Sequence, residues 1–121
     1  MKETILAMER YAEANNVPII ELDSIKFIMK YIKMNNVKSV LEIGTAIGYS
    51  AILMANATSE VEITTIERDE KRYREAVKNV RGIVTKIENY IEFLNNNKDY
   101  VTKFYDIGDG LSVSFKKNNE K

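Results

Sequence analysis

The stretch Val40-Leu41-Glu42-Ile43-Gly44-Thr45-Ala46-Ile47-Gly48-Tyr49-Ser50 constrains this chain more than any other. The apolar run from Ser39 to Ile43 reads as a short buried strand. A glycine-bearing turn follows, and then an apolar segment, Tyr49 to Ala57, that reads as a helix. Strand, glycine turn and helix N-terminus together form a standard place to hold a nucleotide-like ligand, since backbone N–H groups point outward there. Gly44 is expected to let the chain turn sharply as it leaves the sheet. Gly48 is expected to let the backbone approach a ligand, because no Cβ stands in the way. Glu42 lies inside an otherwise apolar strand. Its carboxylate needs a partner, and a cationic ligand above the strand would supply one. The same residues also suit a plain strand–turn–helix without a ligand.

The segment Val61-Glu62-Ile63-Thr64-Thr65-Ile66 alternates and is rich in β-branched residues, so it reads as a second strand. It ends in Glu67. An acidic residue at that place, roughly twenty residues past a glycine loop, is positioned to accept hydrogen bonds from ribose hydroxyls. Glu67 also reads as a simple helix-start charge before Arg68-Asp69-Glu70. Strand, loop, helix, strand and terminal acid form a βαβ unit. A right-handed crossover places its two strands parallel and adjacent.

What precedes this unit reads as helical cover. Residues 2 to 15 place Ile5, Leu6, Met8 and Ala12 near one face, and Asn15-Asn16 is a plausible stop. Val17-Pro18-Ile19-Ile20 must be extended, since proline disfavours helix in the residue before it. A second helix starts between Glu21 and Ser24, with Leu22, Ile25, Ile28, Met29 and Ile32 at helical spacing, and closes at Asn35-Asn36.

Beyond Asp69 a third helix begins. Its stripe of Tyr73, Val77, Val80, Val84, Ile87, Ile91 and Leu94 steps by threes and fours. One helix of that span would be ~35–40 Å long, far more than a crossover along a strand of ~20 Å requires. Either Gly82 divides it or it projects beyond the sheet. Strands are expected at Tyr100 to Ile107 and Leu111 to Phe115. The turn Gly108-Asp109-Gly110 between them makes an antiparallel hairpin.

Composition removes several chemistries. The chain has 121 residues, which suits one domain, with 18 basic and 18 acidic side chains and no net charge. No overall field draws it to nucleic acid or membrane, although folding or dimerisation can still gather a local basic patch. It holds no cysteine and no histidine. That excludes disulfides, thiolate zinc sites, histidine-ligated metals and every Ser-His-Asp or Cys-His pair. No signal peptide or membrane-length apolar run is visible, so a cytoplasmic location is expected.

The loop spacing is G-x-x-x-G, with Ala46 where a dinucleotide fingerprint would carry its middle glycine. Glu-x-Gly-x-x-x-Gly instead resembles the first motif of class I S-adenosylmethionine methyltransferases. Thr45 and the Gly48-Tyr49-Ser50 triplet narrow the resemblance to the metal-assisted O-methyltransferases of the catechol and caffeoyl-CoA type, nearest the bacterial tRNA 5-hydroxyuridine branch. The resemblance implies a shortened Rossmann-like α/β fold that binds S-adenosylmethionine through Glu42, Gly44, Thr45, Gly48, Tyr49, Ser50 and Glu67. It implies that Val17 to Leu22 borders the cofactor and a dimer interface. It also divides the chain into residues 1–80, a cofactor-binding half, residues 83–117, the family's terminal helix from Ile83 to Leu94 with the hairpin, and a tail, 118–121.

The middle of the family's sequence is absent. In the family that part supplies adenine contacts and the Asp-rich motifs that hold a divalent metal, and no such motif occurs here. Asp106 and Asp109 flank the expected turn and read as turn chemistry. Tyr49, Tyr73 or Lys71 could serve as a base, but nothing in the sequence singles one out. Three readings stay open. They are a cofactor-binding O-methyltransferase relative acting on a hydroxyl of tRNA or of a small phenol, a non-catalytic homodimeric module that exchanges a strand or helix, and a nucleotide-binding domain of another class. Removing central strands would leave sheet edges that recruit another chain, which favours a homodimer.

Overall fold

The computed structural model describes residues 2–83, 91–94, 100–105 and 110–116. Its elements are α1 (Lys2–Ala14), α2 (Leu22–Met34), β1 (Ser39–Ile43), α3 (Tyr49–Ala55), β2 (Glu62–Glu67), α4 (Glu70–Ile83), β3 (Ile91–Leu94), β4 (Tyr100–Tyr105) and β5 (Gly110–Lys116). The chain is an α/β protein with a five-stranded sheet in the order β1-β2-β5-β4-β3. β1, β2 and β5 run parallel, and β4 and β3 are antiparallel additions.

The first two helices end by the same device. Tyr-x-x-x-Asn-Asn-Val occurs at Tyr11–Val17 and again at Tyr31–Val37. The first asparagine of each pair turns its side-chain amide back onto the tyrosine carbonyl, Asn15 at 2.9 Å and Asn35 at 3.0 Å. The second, Asn16 or Asn36, takes a left-handed conformation. The valine N–H then bonds five residues back, Val17 to Ala12 and Val37 to Ile32. This is the Schellman closure, and asparagine tolerates its left-handed residue better than most side chains. Each valine is partly buried against the core.

The helices cover one face of the sheet. α3 and α4 contact β2 and β5, α2 packs on α3, and α1 packs on α4. Beneath them lie Ile63, Thr65 and Val113, all fully buried, with Ile25, Ile47, Ile52, Val61 and Val80 completing the core. Apolar burial of this kind contributes about 1.5–3 kcal/mol per large side chain.

Two expectations need correction. The strand Ser39–Ile43 was expected to be buried, yet β1 is an edge strand, and Leu41 and Ile43 are 65% and 76% exposed. A strand's burial depends on its neighbours. Among the described strands β1 pairs only with β2, and no described helix covers the face that carries Leu41 and Ile43. The helix expected from Ile83 to Leu94 does not run through its last four residues: Ile91–Leu94 is a strand, β3, paired with β4, and residues 84–90 lie outside the described residues. Ile91-Glu92-Phe93-Leu94 fits a helical stripe through Ile91 and Leu94 and equally an alternating strand. Pairing with a partner strand decides such short apolar runs. Smaller differences follow the same logic: α3 stops at Ala55, and Leu6 and Leu22 are exposed rather than core-facing. β4 and β5 pair antiparallel. The expected turn residues Gly108 and Asp109, with Asp106, Val84, Ile87 and the tail 118–121, lie outside the described residues.

Candidate functional site

Leaving β1, the chain crosses the end of the sheet in five residues, Gly44 to Gly48, and each is pinned. The Gly44 and Thr45 N–H groups both donate to the Ile66 carbonyl, at 2.8 and 3.2 Å. The Ala46 N–H donates to Glu67 Oε1 at 2.7 Å. Asn79 of α4 donates its side-chain amide to the Ile47 carbonyl at 2.9 Å. The Gly48 N–H closes the turn on the Thr45 carbonyl at 2.9 Å. Gly44, Ala46 and Gly48 all have positive φ, +96°, +50° and +89°. The left-handed region costs a non-glycine residue roughly 1–2 kcal/mol, so Ala46 is held there by its bonds.

The two glycines have different duties. A Cβ on Gly48 would stand 3.4 Å from both Cα and Cβ of Ala76, so Gly48 lies where α4 packs against the loop. A Cβ on Gly44 would meet nothing within 4 Å. The open backbone is therefore at Gly44, and it faces a cavity of about 180 Å³ lined by Pro18, Ile19, Ile20, Glu42, Gly44, Thr45, Ala46, Tyr49 and Ser50.

A polar chain runs beneath this cavity. Ser50 donates its hydroxyl to Glu42 Oε2, and Thr65 donates to Glu42 Oε1 at 2.7 Å. Thr45 Oγ1 lies 2.6 Å from Thr65 Oγ1. A hydroxyl has one proton, and that of Thr65 goes to Glu42, so Thr45 donates to Thr65. Glu42 is half-buried. Desolvation raises its pKa above 4.5 and outweighs the two hydroxyl bonds, which lower it, and the nearby Glu67 charge adds to the rise. The cavity wall thus carries a carboxylate that pairs with no cationic side chain among the described residues.

Glu67 stands at the end of β2 and is 7% exposed. Besides the Ala46 N–H, its Oε2 accepts the N–H groups of Arg68 at 3.0 Å and Asp69 at 2.9 Å. Three backbone donors tie one carboxylate to the loop and to the approach to α4. Tyr49 is 2% exposed, and its hydroxyl donates to Glu9 of α1 at 2.7 Å. Burial, and then that bond to an acceptor, push the Tyr49 phenol up to about 12. It therefore stays protonated at neutral pH and is unsuited to act as a base.

The expected residues thus sit together around one loop but divide by duty. Glu42, Gly44, Thr45, Tyr49 and Ser50 line the cavity, whereas Gly48 and Glu67 hold the loop against α4 and β2. Sequence reasoning missed Thr65, Asn79 and Ala76, which act across 20 or more residues of chain. It also missed the left-handed Ala46. The alternating Thr65 beside an in-strand Glu42 was the one available signal. Among the described residues, no three acidic side chains gather closely enough to hold a metal ion. The described residues present no ligand set for the divalent metal that the resemblance implied. No described helix is long and apolar enough to cross a membrane.

The O-methyltransferase family model matches residues 3–105. The chain belongs to the O-methyltransferase family. A caffeoyl-CoA O-methyltransferase-type protein from Staphylococcus aureus is 40% identical over 68% of this chain, with a TM-score of 0.63. An O-methyltransferase from Bacillus cereus, solved with S-adenosylhomocysteine, is 28% identical over 65% of the chain, with a TM-score of 0.58. The match spans only 39% and 37% of those two relatives. A methyltransferase from Geobacter sulfurreducens shares the fold along 94% of this chain and 90% of its own, with a TM-score of 0.60 at 14% identity. The shortened Rossmann-like architecture of this O-methyltransferase-family chain is thus matched nearly end to end by another protein.

Proposed function

We propose that this chain binds S-adenosylmethionine at the cavity beside Gly44. The observation that carries the proposal is an open left-handed glycine next to a desolvated carboxylate, on a loop whose other residues are all anchored. The cofactor's methionine end carries an ammonium and a sulfonium, and Glu42 is the carboxylate available to balance them. About 180 Å³ is below the ~300 Å³ at which small-molecule sites usually begin, so the cavity takes the methionine end and leaves the nucleoside outside it. Glu67 keeps acceptor capacity beyond its three backbone bonds, and the ribose hydroxyls are its expected donors.

Methyl transfer breaks the sulfonium carbon–sulfur bond as an acceptor oxygen forms the new carbon–oxygen bond in line with it. The acceptor loses a proton. The chain's residues position the donor. The expected acceptor is a hydroxyl, of 5-hydroxyuridine in tRNA or of a small phenol, and the expected setting is a cytoplasmic homodimer. No described residue is assigned as the base, so donor binding, rather than turnover, is the primary proposal. Calorimetric titration with S-adenosylmethionine and S-adenosylhomocysteine tests it. Saturable heat with both ligands is expected, and its absence at millimolar ligand defeats the reading.

A further inference from the structure

β1 is the end strand of the sheet, and no described strand lies on its outer side. The Glu62 N–H bonds the Lys38 carbonyl and the Gly44 N–H bonds the Ile66 carbonyl. Even-numbered residues of the strand therefore turn their backbone toward β2, and Ser39, Leu41 and Ile43 turn theirs outward. Edge strands are normally protected by proline, lysine, a bulge or a covering segment. Ser39-Val40-Leu41-Glu42-Ile43 contains no proline or lysine, and it forms an unbroken five-residue ladder with β2. The outward-bonding residues also carry the exposed side chains, Leu41 and Ile43, on the face that no described helix covers.

We propose that a second copy of this chain pairs with the β1 edge, antiparallel and centred on Leu41, which joins two five-stranded sheets into one. The strand is self-complementary in that register. Leu41 faces Leu41, Ser39 faces Ile43 on both sides, and Val40 faces Glu42. Every outward N–H and C=O of the three odd residues finds a partner. A shift by two residues toward the C-terminus would set Glu42 against Glu42, and a shift toward the N-terminus would leave Ile43 unpaired within the strand. The central register alone pairs all five residues and sets no like charges opposite. It also closes the apolar strip, since two Leu41 and two Ile43 side chains then share one face. A two-fold contact uses one patch twice, as an isologous dimer requires. The zero net charge of the chain puts no long-range repulsion between copies.

This inference deepens the homodimer reading and does not depend on cofactor binding. The chain has no native cysteine, so a single introduced one reports cleanly. Light scattering on the purified chain should give twice 13.9 kDa. Leu41→Cys should form an intermolecular disulfide on mild oxidation, whereas Lys26→Cys, on the exposed side of α2, should not. Leu41→Lys should raise the dimer dissociation constant by about tenfold or more, because two lysines would then stand opposite each other. Leu41 is mostly solvent-exposed in the single chain, so the helical circular dichroism of the variant should be unchanged. A monomer at micromolar concentration would overturn both this pairing and the homodimer reading. A dimer in which Leu41→Cys fails to cross-link, or cross-links no faster than Lys26→Cys, would overturn the pairing alone.

Discussion

Replacing Glu67 by alanine removes the carboxylate that joins β2 to the loop. Three backbone N–H groups lose their acceptor, those of Ala46, Arg68 and Asp69. Arg68 and Asp69 are exposed, so water takes over their two donors at small cost. Ala46 is half-buried, and its bond is to a charged acceptor. Hydrogen bonds of that kind contribute about 1.5–3 kcal/mol each. Ala46 also loses what holds it at a φ of +50°, a conformation that costs roughly 1–2 kcal/mol and is then free to relax. That relaxation returns part of the loss. The expected net destabilisation is about 1–2 kcal/mol, or roughly 5–10 °C in Tm for a domain of this size. Urea unfolding gives the free energy, and hydrogen exchange at the Ala46 amide gives the local effect. Glu67→Gln keeps one acceptor oxygen and should fall between alanine and the parent. A loss under ~0.5 kcal/mol, with the Ala46 amide still protected, would refute the assignment of Glu67 as the strut of the loop.

Two further substitutions probe the same site. Glu42→Gln should stabilise the free chain and weaken S-adenosylmethionine. The Glu42 carboxyl is raised above 4.5 in the folded state, so the folded chain binds more protons than the unfolded one just above that pH. Its contribution to stability therefore falls as pH rises from 4.5 through the raised value, and unfolding of the glutamine variant at a series of pH values should lack that slope. Gly48→Ala should cost about 1–3 kcal/mol by denaturant unfolding, because φ is +89° and the new Cβ would be held against Ala76, which limits relaxation. Gly44→Ala should cost less, since its Cβ meets open space.

Much of the fold was legible where local chemistry decides it. The doubled asparagines announced both helix ends, because an amide side chain and a left-handed residue act within one turn. The β1–α3–β2 unit followed from an apolar run, two glycines and a β-branched run, and the strands are parallel neighbours as expected. The cavity residues were legible as a group from the same motif. Their separate duties were not. Whether Gly48 serves a ligand or a helix depends on Ala76, and whether Glu42 is free depends on Thr65. Such partners are set by how distant segments pack, which a single motif does not encode. The edge position of β1 belongs to the same class, since the sheet order depends on β2 pairing with the distant β5, and the strand at Ile91–Leu94 is fixed by its pairing with β4.

The most direct test of the central claim is a two-dimensional amide NMR titration of the full chain with S-adenosylmethionine. Saturable shifts are predicted at Gly44, Thr45, Ala46 and Ser50 and at Ile19 and Ile20 across the cavity, with α1 unaffected. Shifts that fail to saturate at millimolar ligand, or that cluster away from Gly44, would contradict it.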